Sequence, residues 1–167
     1  MKVIFTNKTI SRILAIQVFY NFFIIQEFNT DHQYSNIEKI LDCLLEMYRC
    51  SKNLDLNTEI SNKGKQYQNI KIKPSRTYLQ LLLEITYKNL NFIYDIIDNK
   101  INKKYRIFNT DILLKTILLL AISEINFFSV PGKILINEYT NITNDMMDDA
   151  QVGFINSILD QYIKTIK

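Results

Sequence analysis

The chain has 167 residues, of which 47% are hydrophobic and 22% charged, with a formal net charge of +3 at pH 7. A chain of this length buries enough surface to fold without disulfide or metal staples, and its composition is globular rather than disordered. With only 3 Gly and 2 Pro, a turn-rich β-sandwich is excluded. Two cysteines without a C-x-x-C spacing and a single histidine exclude the common zinc and disulfide frameworks.

The charges are distributed unevenly along the chain. Between Ser61 and Leu83 there are bases and no acid, whereas between Ile134 and Ile163 there are acids and no base. Such blocks are typical of solvated surfaces. A net charge of +3 alone does not establish a polyanion partner, so the position of each base matters more than the sum.

The N-terminus imitates a secretion signal only in part. Bases precede an apolar stretch from Ile13 to Ile25, but Gln17 and Asn21 interrupt it and no small-residue cleavage site follows. The longest uninterrupted apolar run elsewhere, from Ile117 to Ile122, is far shorter than the roughly 20 residues that span a bilayer. We therefore predict a cytoplasmic protein with no membrane partner. In that compartment Cys43 and Cys50 are expected to be reduced, structural thiols on a helix.

Helical periodicity dominates from the start of the chain. We predict a first helix from about Thr9 to Glu27, capped by Thr9 or Ser11. It is apolar on nearly every face and therefore requires burial on several sides. The segment Ser35-Asn36-Ile37-Glu38 fits a capping box and predicts the start of a second helix. The polar stretch from Ser51 to Lys73 predicts a long loop or a boundary between two halves.

The rest of the chain predicts four more helices. One begins at Pro74-Ser75 and runs to about Ile97, and the next begins near Thr110-Asp111 and runs to about Ile125. Another includes Ile136–Tyr139, and the last runs from about Asp149 to Ile166. Thr110 would supply a hydroxyl cap and Asp111 a first-turn carboxylate. The sequence thus predicts an all-α fold in a single domain, with two small helical bundles over about 1–73 and 74–167.

Enzyme signatures are missing from the sequence. It contains no G-x-G-x-x-G, P-loop or G-x-S-x-G motif. His32 has no neighbouring nucleophile, and we interpret it as a surface residue. Asp145, Asp148 and Asp149 lack the EF-hand spacing and glycine, so we interpret them as a helix cap with solvated acids. We predict no catalytic residue, no cofactor and no metal site.

Nucleic-acid binding suits the charges better. If the first helix reaches back to Lys8, then Lys8 and Arg12 lie one helical turn apart on a common face, and we expect Lys2 to precede them on a flexible arm. Three phosphate contacts on a single strand would give a salt slope of only about −2. RNA binding through these bases therefore requires a second protein or aromatic side chains that stack on bases.

Three motifs occur in a fixed order along the chain. Residues 12–20 read R-I-L-A-I-Q-V-F-Y and resemble the pattern R-x-x-A-x-Q-x-L-Y. Residues 120–138 contain L-A-I-S-E-I, V-P and I-L-I-N-E and resemble A-x-x-E-L…P…V-x-I-N-E. Residues 154–160 read F-I-N-S-I-L-D and are similar to F-V-N-G-V-L-D. These are the motifs of the NusB family of bacterial transcription antitermination factors. Their order and separation resemble that family almost from end to end.

The resemblance implies a non-enzymatic protein of two small helical bundles. It implies binding to the boxA segment of ribosomal RNA leader transcripts together with NusE, a small-subunit ribosomal protein, within the transcription elongation complex. Matched position by position, the candidate RNA-binding residues are Lys2, Lys8, Arg12, Gln17, Tyr20, Phe154 and Asn156. The matched pair Asn137-Glu138 is expected to tie helix ends together.

The sequence also departs from the family pattern. Scattered lysines replace an arginine-rich arm, Leu119 stands at a position that is commonly Arg, and Ser157 replaces Gly. Lysines within Ser51–Lys73 are a hypothetical substitute for the missing phosphate contacts. Two alternatives remain open: a helical homodimerisation module without strong RNA binding, and the NusB-like domain of an RNA cytosine methyltransferase. The absence of a Gly motif for S-adenosylmethionine disfavours the second.

Overall fold

The computed structural model describes residues 6–28, 34–53, 73–98 and 111–166. Within these ranges the chain forms helices and no strand: α1 (Asn7–Phe28), α2 (Tyr34–Asn53), α3 (Arg76–Lys88), α4 (Leu90–Ile96), α5 (Ile112–Phe127), α6 (Gly132–Met146) and α7 (Asp149–Thr165). The predicted all-α class is confirmed. The predictions for Lys2, His32, Thr110 and most of the lysine-rich stretch lie outside the described residues.

The start of α1 differs from the prediction. The backbone N–H of Thr9 donates to Thr6 Oγ1 over 3.1 Å, and the N–H of Thr6 donates back to Thr9 Oγ1 over 3.3 Å. This reciprocal pattern is that of a capping box, with Thr6 as the cap. Ser11 has a different role, because its Oγ accepts from the backbone N–H of Ser75 over 2.9 Å and so joins α1 to the start of α3.

Other helix boundaries also moved. The structure begins α2 at Tyr34, one residue before the predicted cap. The predicted third helix is divided into α3 and α4 at Asn89, whose Nδ2 donates to the carbonyl of Ile85 over 2.8 Å. Asp111 is itself the cap of α5, since its Oδ1 accepts from the N–H groups of Leu113 and Leu114 over 2.9 and 3.2 Å. Helix α6 begins at Gly132 and contains the predicted Ile136–Tyr139.

The central helix of the protein is α5. It packs against α1, α3, α4, α6 and α7, and every residue from Thr116 to Glu124 is buried. Leu119, which departs from the family motif, lies within this buried stretch, whereas Ser157 is exposed on α7. Buried side chains of all seven helices belong to one hydrophobic core. The division into halves at residue 73 stays a prediction.

Two further features of α1 and α2 bear on the predictions. Within the described ranges, Asn7–Gln26 of α1 is long and apolar enough to cross a membrane, but 56% of its most apolar window is buried inside the protein. A core helix meets the same criterion of length and composition, and α1 packs against α2, α3 and α5.

Cys43 on α2 is a free thiol with an exposed side chain, so it is not part of the core. The side chain of Cys50 lies outside the described residues.

Two glycines provide a matched test of packing. A Cβ atom added at Gly132 would lie 2.5 Å from Cδ1 of Ile163, whereas one added at Gly153 meets nothing within 4 Å. We expect Gly153→Ala to stabilise the protein by about 0.5–1 kcal/mol, since alanine favours the helix. Gly132→Ala should lower the stability, because the Ile163 side chain must shift to make room for the added methyl group. Chemical denaturation of both variants measures the difference, and equal stabilisation by both would contradict it.

Candidate nucleic-acid interface

Apart from Lys2, which lies outside the described residues, the predicted RNA-binding residues lie on α1 and α7, two helices that both pack against α5. Their side chains differ widely in exposure: Lys8 and Asn156 are exposed, Tyr20 is 39% exposed, Gln17 and Phe154 are half-buried, and Arg12 is only 3% exposed. The exposed side chains are accessible to RNA, whereas the buried ones contribute to the packing of the helices.

Arg12 lies inside the protein, where its guanidinium bridges two carboxylates. Its Nε and Nη2 donate to Oε2 and Oε1 of Glu124 over 2.9 and 2.6 Å, and its Nη1 donates to Oε2 of Glu138 over 2.8 Å. The bidentate geometry matches the guanidinium fork to the Glu124 carboxylate. Because its donors are engaged inside the protein, we remove Arg12 from the set of residues that contact RNA.

Glu124 is the fully buried partner of this pair. The hydroxyl of Tyr78 donates to its Oε1, and the hydroxyl of Tyr139 donates to its Oε2 over 3.0 Å. The guanidinium carbon of Arg12 lies 5.6 Å from the ring centre of Tyr78 and 5.8 Å from that of Tyr139. A buried carboxylate is costly unless it is paired and hydrogen-bonded. Donors from α1, α3 and α6 therefore converge on this one group of α5.

The protonation states of this network follow from burial and from the charge of Glu124. Burial alone would lower the pKa of Arg12, but the hydrogen bond and charge of Glu124 outweigh it and raise that pKa above its ordinary value. Burial raises the pKa of Tyr78 and of Tyr139, and the charge of Glu124 raises both further. At neutral pH the arginine is therefore charged, and both tyrosines remain protonated donors.

Lys8 lies at the surface beside this buried network. Its Nζ is 5.4 Å from the ring centre of Tyr78, the same ring that Arg12 contacts. The common face predicted for Lys8 and Arg12 is confirmed by this shared ring. Of these two bases, only Lys8 is exposed. An exposed ammonium held against a ring face is attracted by its π electrons and stays available to a phosphate.

Gln17 and Tyr20 belong to a different surface of α1. Gln17 is nine residues from Lys8, which at about 100° per residue places it on the opposite side of the helix. Tyr20 follows Gln17 by one turn, and the side-chain amide of Asn21 donates to the carbonyl of Gln17 over 2.7 Å. The helix therefore carries a cationic surface at its start and a separate polar and aromatic surface farther along.

Phe154 and Asn156 lie on α7, which is acidic. Phe154 packs against the hydrophobic core, while Asn156 is exposed. Asp149 lies in the first turn of α7, and Asp160 near its end pairs with Lys164 over 2.5 Å. Carboxylates repel phosphates, so Asp149 disfavours a contact between this helix and the RNA backbone. Among the described residues, no group of three His, Cys, Asp or Glu side chains is placed to hold a metal ion.

Three residues of the buried network are absent from the predicted set, namely Tyr78, Glu124 and Tyr139. The signal that could have found them is Glu124 itself, a carboxylate within the apolar stretch of α5 that needs a cation close by. Glu138 joins α6 to α1 through Arg12 and Thr9, but it does so from the middle of α6 rather than from a helix end as expected.

Removal of Arg12 should be far more damaging than removal of a surface cation. We expect Arg12→Met to destabilise the protein by about 3–5 kcal/mol, because the buried Glu124 carboxylate loses its cation. The double variant Arg12→Met/Glu124→Gln should be more stable than Arg12→Met alone. Lys88→Met is the control, since it breaks only the exposed Lys88–Glu84 pair. Chemical denaturation measures all three, and additive losses in the double variant would contradict the coupling.

Comparison with known proteins agrees with the fold and the motifs. The NusB family model matches residues 9–164 of this chain. The transcription antitermination protein NusB of Rickettsia typhi is 35% identical over 156 residues, which cover 93% of this chain and 90% of that protein. Those of Rickettsia bellii (strain OSU 85-389) and Rickettsia massiliae are 34% and 30% identical, over 93% and 95% of this chain and 88% and 92% of their own lengths. The chain therefore belongs to the NusB family.

Proposed function

We propose that the protein acts in transcription antitermination by binding boxA-type leader RNA of ribosomal RNA transcripts together with NusE. Membership of the NusB family supports an RNA-binding role in antitermination, within the cytoplasmic transcription elongation complex. The observation that carries the finer proposal is the division of α1 into two surfaces. The cationic start with Lys8 would meet RNA. The surface with Gln17 and Tyr20, which the family resemblance had assigned to RNA, would instead meet the protein partner.

The RNA surface has few cations. With Arg12 buried, the cationic residues of the predicted set are Lys2 and Lys8. Two phosphate contacts on single-stranded RNA give a salt slope of about −1.4. Such binding is weak by itself, so Phe154 and Asn156 would have to add base contacts and a protein partner would have to add affinity.

The partner surface is supported by apolar exposure on the same helix. Tyr20 and Ile25 are 39% and 38% exposed, although α1 otherwise contributes much of the core. Tyrosine is enriched in protein interfaces because its ring adds contact area and its hydroxyl can hydrogen-bond. The C-terminal part of α1 is therefore suited to NusE.

Self-association is the second candidate, and the same observation supports it. Exposed apolar residues on a helix also suit a second copy of this chain. A homodimer through Tyr20 and Ile25 would occupy the surface assigned to NusE. Under this alternative the protein is a helical interaction module without strong RNA binding.

Lys8 tests the RNA surface. We expect Lys8→Ala to weaken binding of a fluorescein-labelled boxA-type RNA and to reduce the magnitude of the salt slope by about 0.7, since one phosphate contact is lost. Fluorescence anisotropy with NusE present, at several salt concentrations, measures both quantities. Lys88→Ala on α3 is the matched control at an exposed lysine and should bind as the wild type. A wild type that binds no such RNA would refute the proposed function.

Tyr20 tests the partner surface. We expect Tyr20→Ser to leave the affinity for RNA alone unchanged and to reduce the gain in affinity that NusE provides, because the exposed ring is lost from the interface. Met47→Ser is the control at another exposed apolar residue, on α2. Analytical ultracentrifugation of both variants separates the candidates: a wild-type dimer that Tyr20→Ser dissociates, with no NusE effect, supports the homodimer instead.

A further inference from the structure

We propose that Thr9 and Glu138 are positioning residues that hold Lys8 in place for RNA. This inference rests on the proposed function, because it concerns the same cationic surface. It assigns a role in RNA binding to two side chains that do not themselves meet the ligand. The argument begins with the hydrogen bonds at the first turn of α1.

Glu138 connects that turn to α6. The hydroxyl of Thr9 donates to Glu138 Oε2 over 2.9 Å, and Arg12 Nη1 donates to the same oxygen over 2.8 Å. The carboxylate is 23% exposed, so it lies at the edge of the buried network. Since Arg12 is held by Glu124, its guanidinium orients Glu138 toward Thr9.

The direction of the hydrogen bonds is determined by proton count. A threonine hydroxyl carries one proton, and that of Thr9 goes to the Glu138 carboxylate, which is an acceptor only. In the 2.8 Å contact between the hydroxyls of Thr6 and Thr9, Thr6 is therefore the donor. Thr9 Oγ1 also accepts from the backbone N–H of Thr6. The chain of donors runs from Thr6 through Thr9 to Glu138, so the capping box of α1 is anchored on another helix.

Lys8 lies within this anchored turn, between Thr6 and Thr9. Its Nζ is 5.4 Å from the ring centre of Tyr78, and the Tyr78 hydroxyl is bound to Glu124. The turn that carries Lys8 is thus tied to α6 through Thr9, and its ammonium lies near a ring of α3. Helix ends open easily, and an ordered cation loses less conformational entropy when it binds a phosphate. Without the Thr9–Glu138 bond, Lys8 would remain charged but would be less ordered.

Three substitutions isolate this hydroxyl. Thr9→Val keeps the shape of the side chain and removes the donor, whereas Thr9→Ser keeps the donor. Thr116→Val is the matched control, since among the described residues that hydroxyl donates to the carbonyl of Ile112 in its own helix. We expect Thr9→Val to bind the labelled boxA-type RNA severalfold more weakly in the presence of NusE, with a salt slope reduced by up to about 0.7. Thr9→Ser and Thr116→Val should match the wild type.

A double variant shows whether Thr9 acts through Lys8. We expect Lys8→Ala/Thr9→Val to bind RNA no more weakly than Lys8→Ala, a result that a general loss of stability would not produce. If Thr9→Val does not fold, Glu138→Gln paired with Lys8→Ala makes the same comparison. Wild-type affinity in Thr9→Val, or additive losses in the double variant, would overturn the positioning role and leave the proposed function intact. If the wild type binds no RNA, both fall together.

Discussion

The ion pair between Arg12 and Glu124 is the interaction on which the arrangement of the helices depends. Glu124 lies in the middle of the protein, on a helix whose other residues from Thr116 to Ser123 are all buried. A carboxylate in that position requires a cation and further donors, and these must come from other helices. Arg12 supplies the charge from α1, while Tyr78 and Tyr139 supply hydroxyls from α3 and α6. One charged group thus specifies how four helices meet.

This interaction selects a geometry more than it adds stability. A buried ion pair of this kind is often no more stable than apolar residues of the same volume, since both charges lose their hydration. The ion pair does make alternative packings less stable, because any shift of α1 against α5 leaves the buried Glu124 carboxylate without its partner. The same geometry places Lys8 at the surface and Glu138 beside Thr9, so the requirement for a paired charge inside the core extends to the candidate RNA surface.

Much of the fold could be predicted from the sequence because it is locally determined. Helical periodicity predicted α1, and α5 and α7 begin within two residues of their predicted starts. The division at Asn89 could not be predicted from periodicity, because the apolar pattern continues across it. The Asn89 side chain bonds to a backbone carbonyl there, and that choice depends on the local geometry.

The site was harder to predict than the fold. An arginine near a cationic N-terminus has the same sequence pattern whether it binds phosphate or a buried carboxylate, so Arg12 was assigned to RNA. Its partner Glu124 is 112 residues away in the chain, and only the packing of α1 on α5 brings the two together. Lys8 and Tyr20 are exposed in the structure, so both side chains are accessible to a ligand, and their roles in binding stay predictions.

The placement of Lys8 and Gln17 on opposite sides of α1 has a consequence for the order in which the two proposed ligands would bind. Two ligands that bind on opposite sides of one helix do not exclude each other sterically, so either can bind first. Any thermodynamic linkage between them must then come from contact between the ligands themselves or from ordering of the helix that both share. Linkage is reciprocal. If bound RNA raises the affinity of the protein for its partner, the bound partner must raise the affinity for RNA by the same factor.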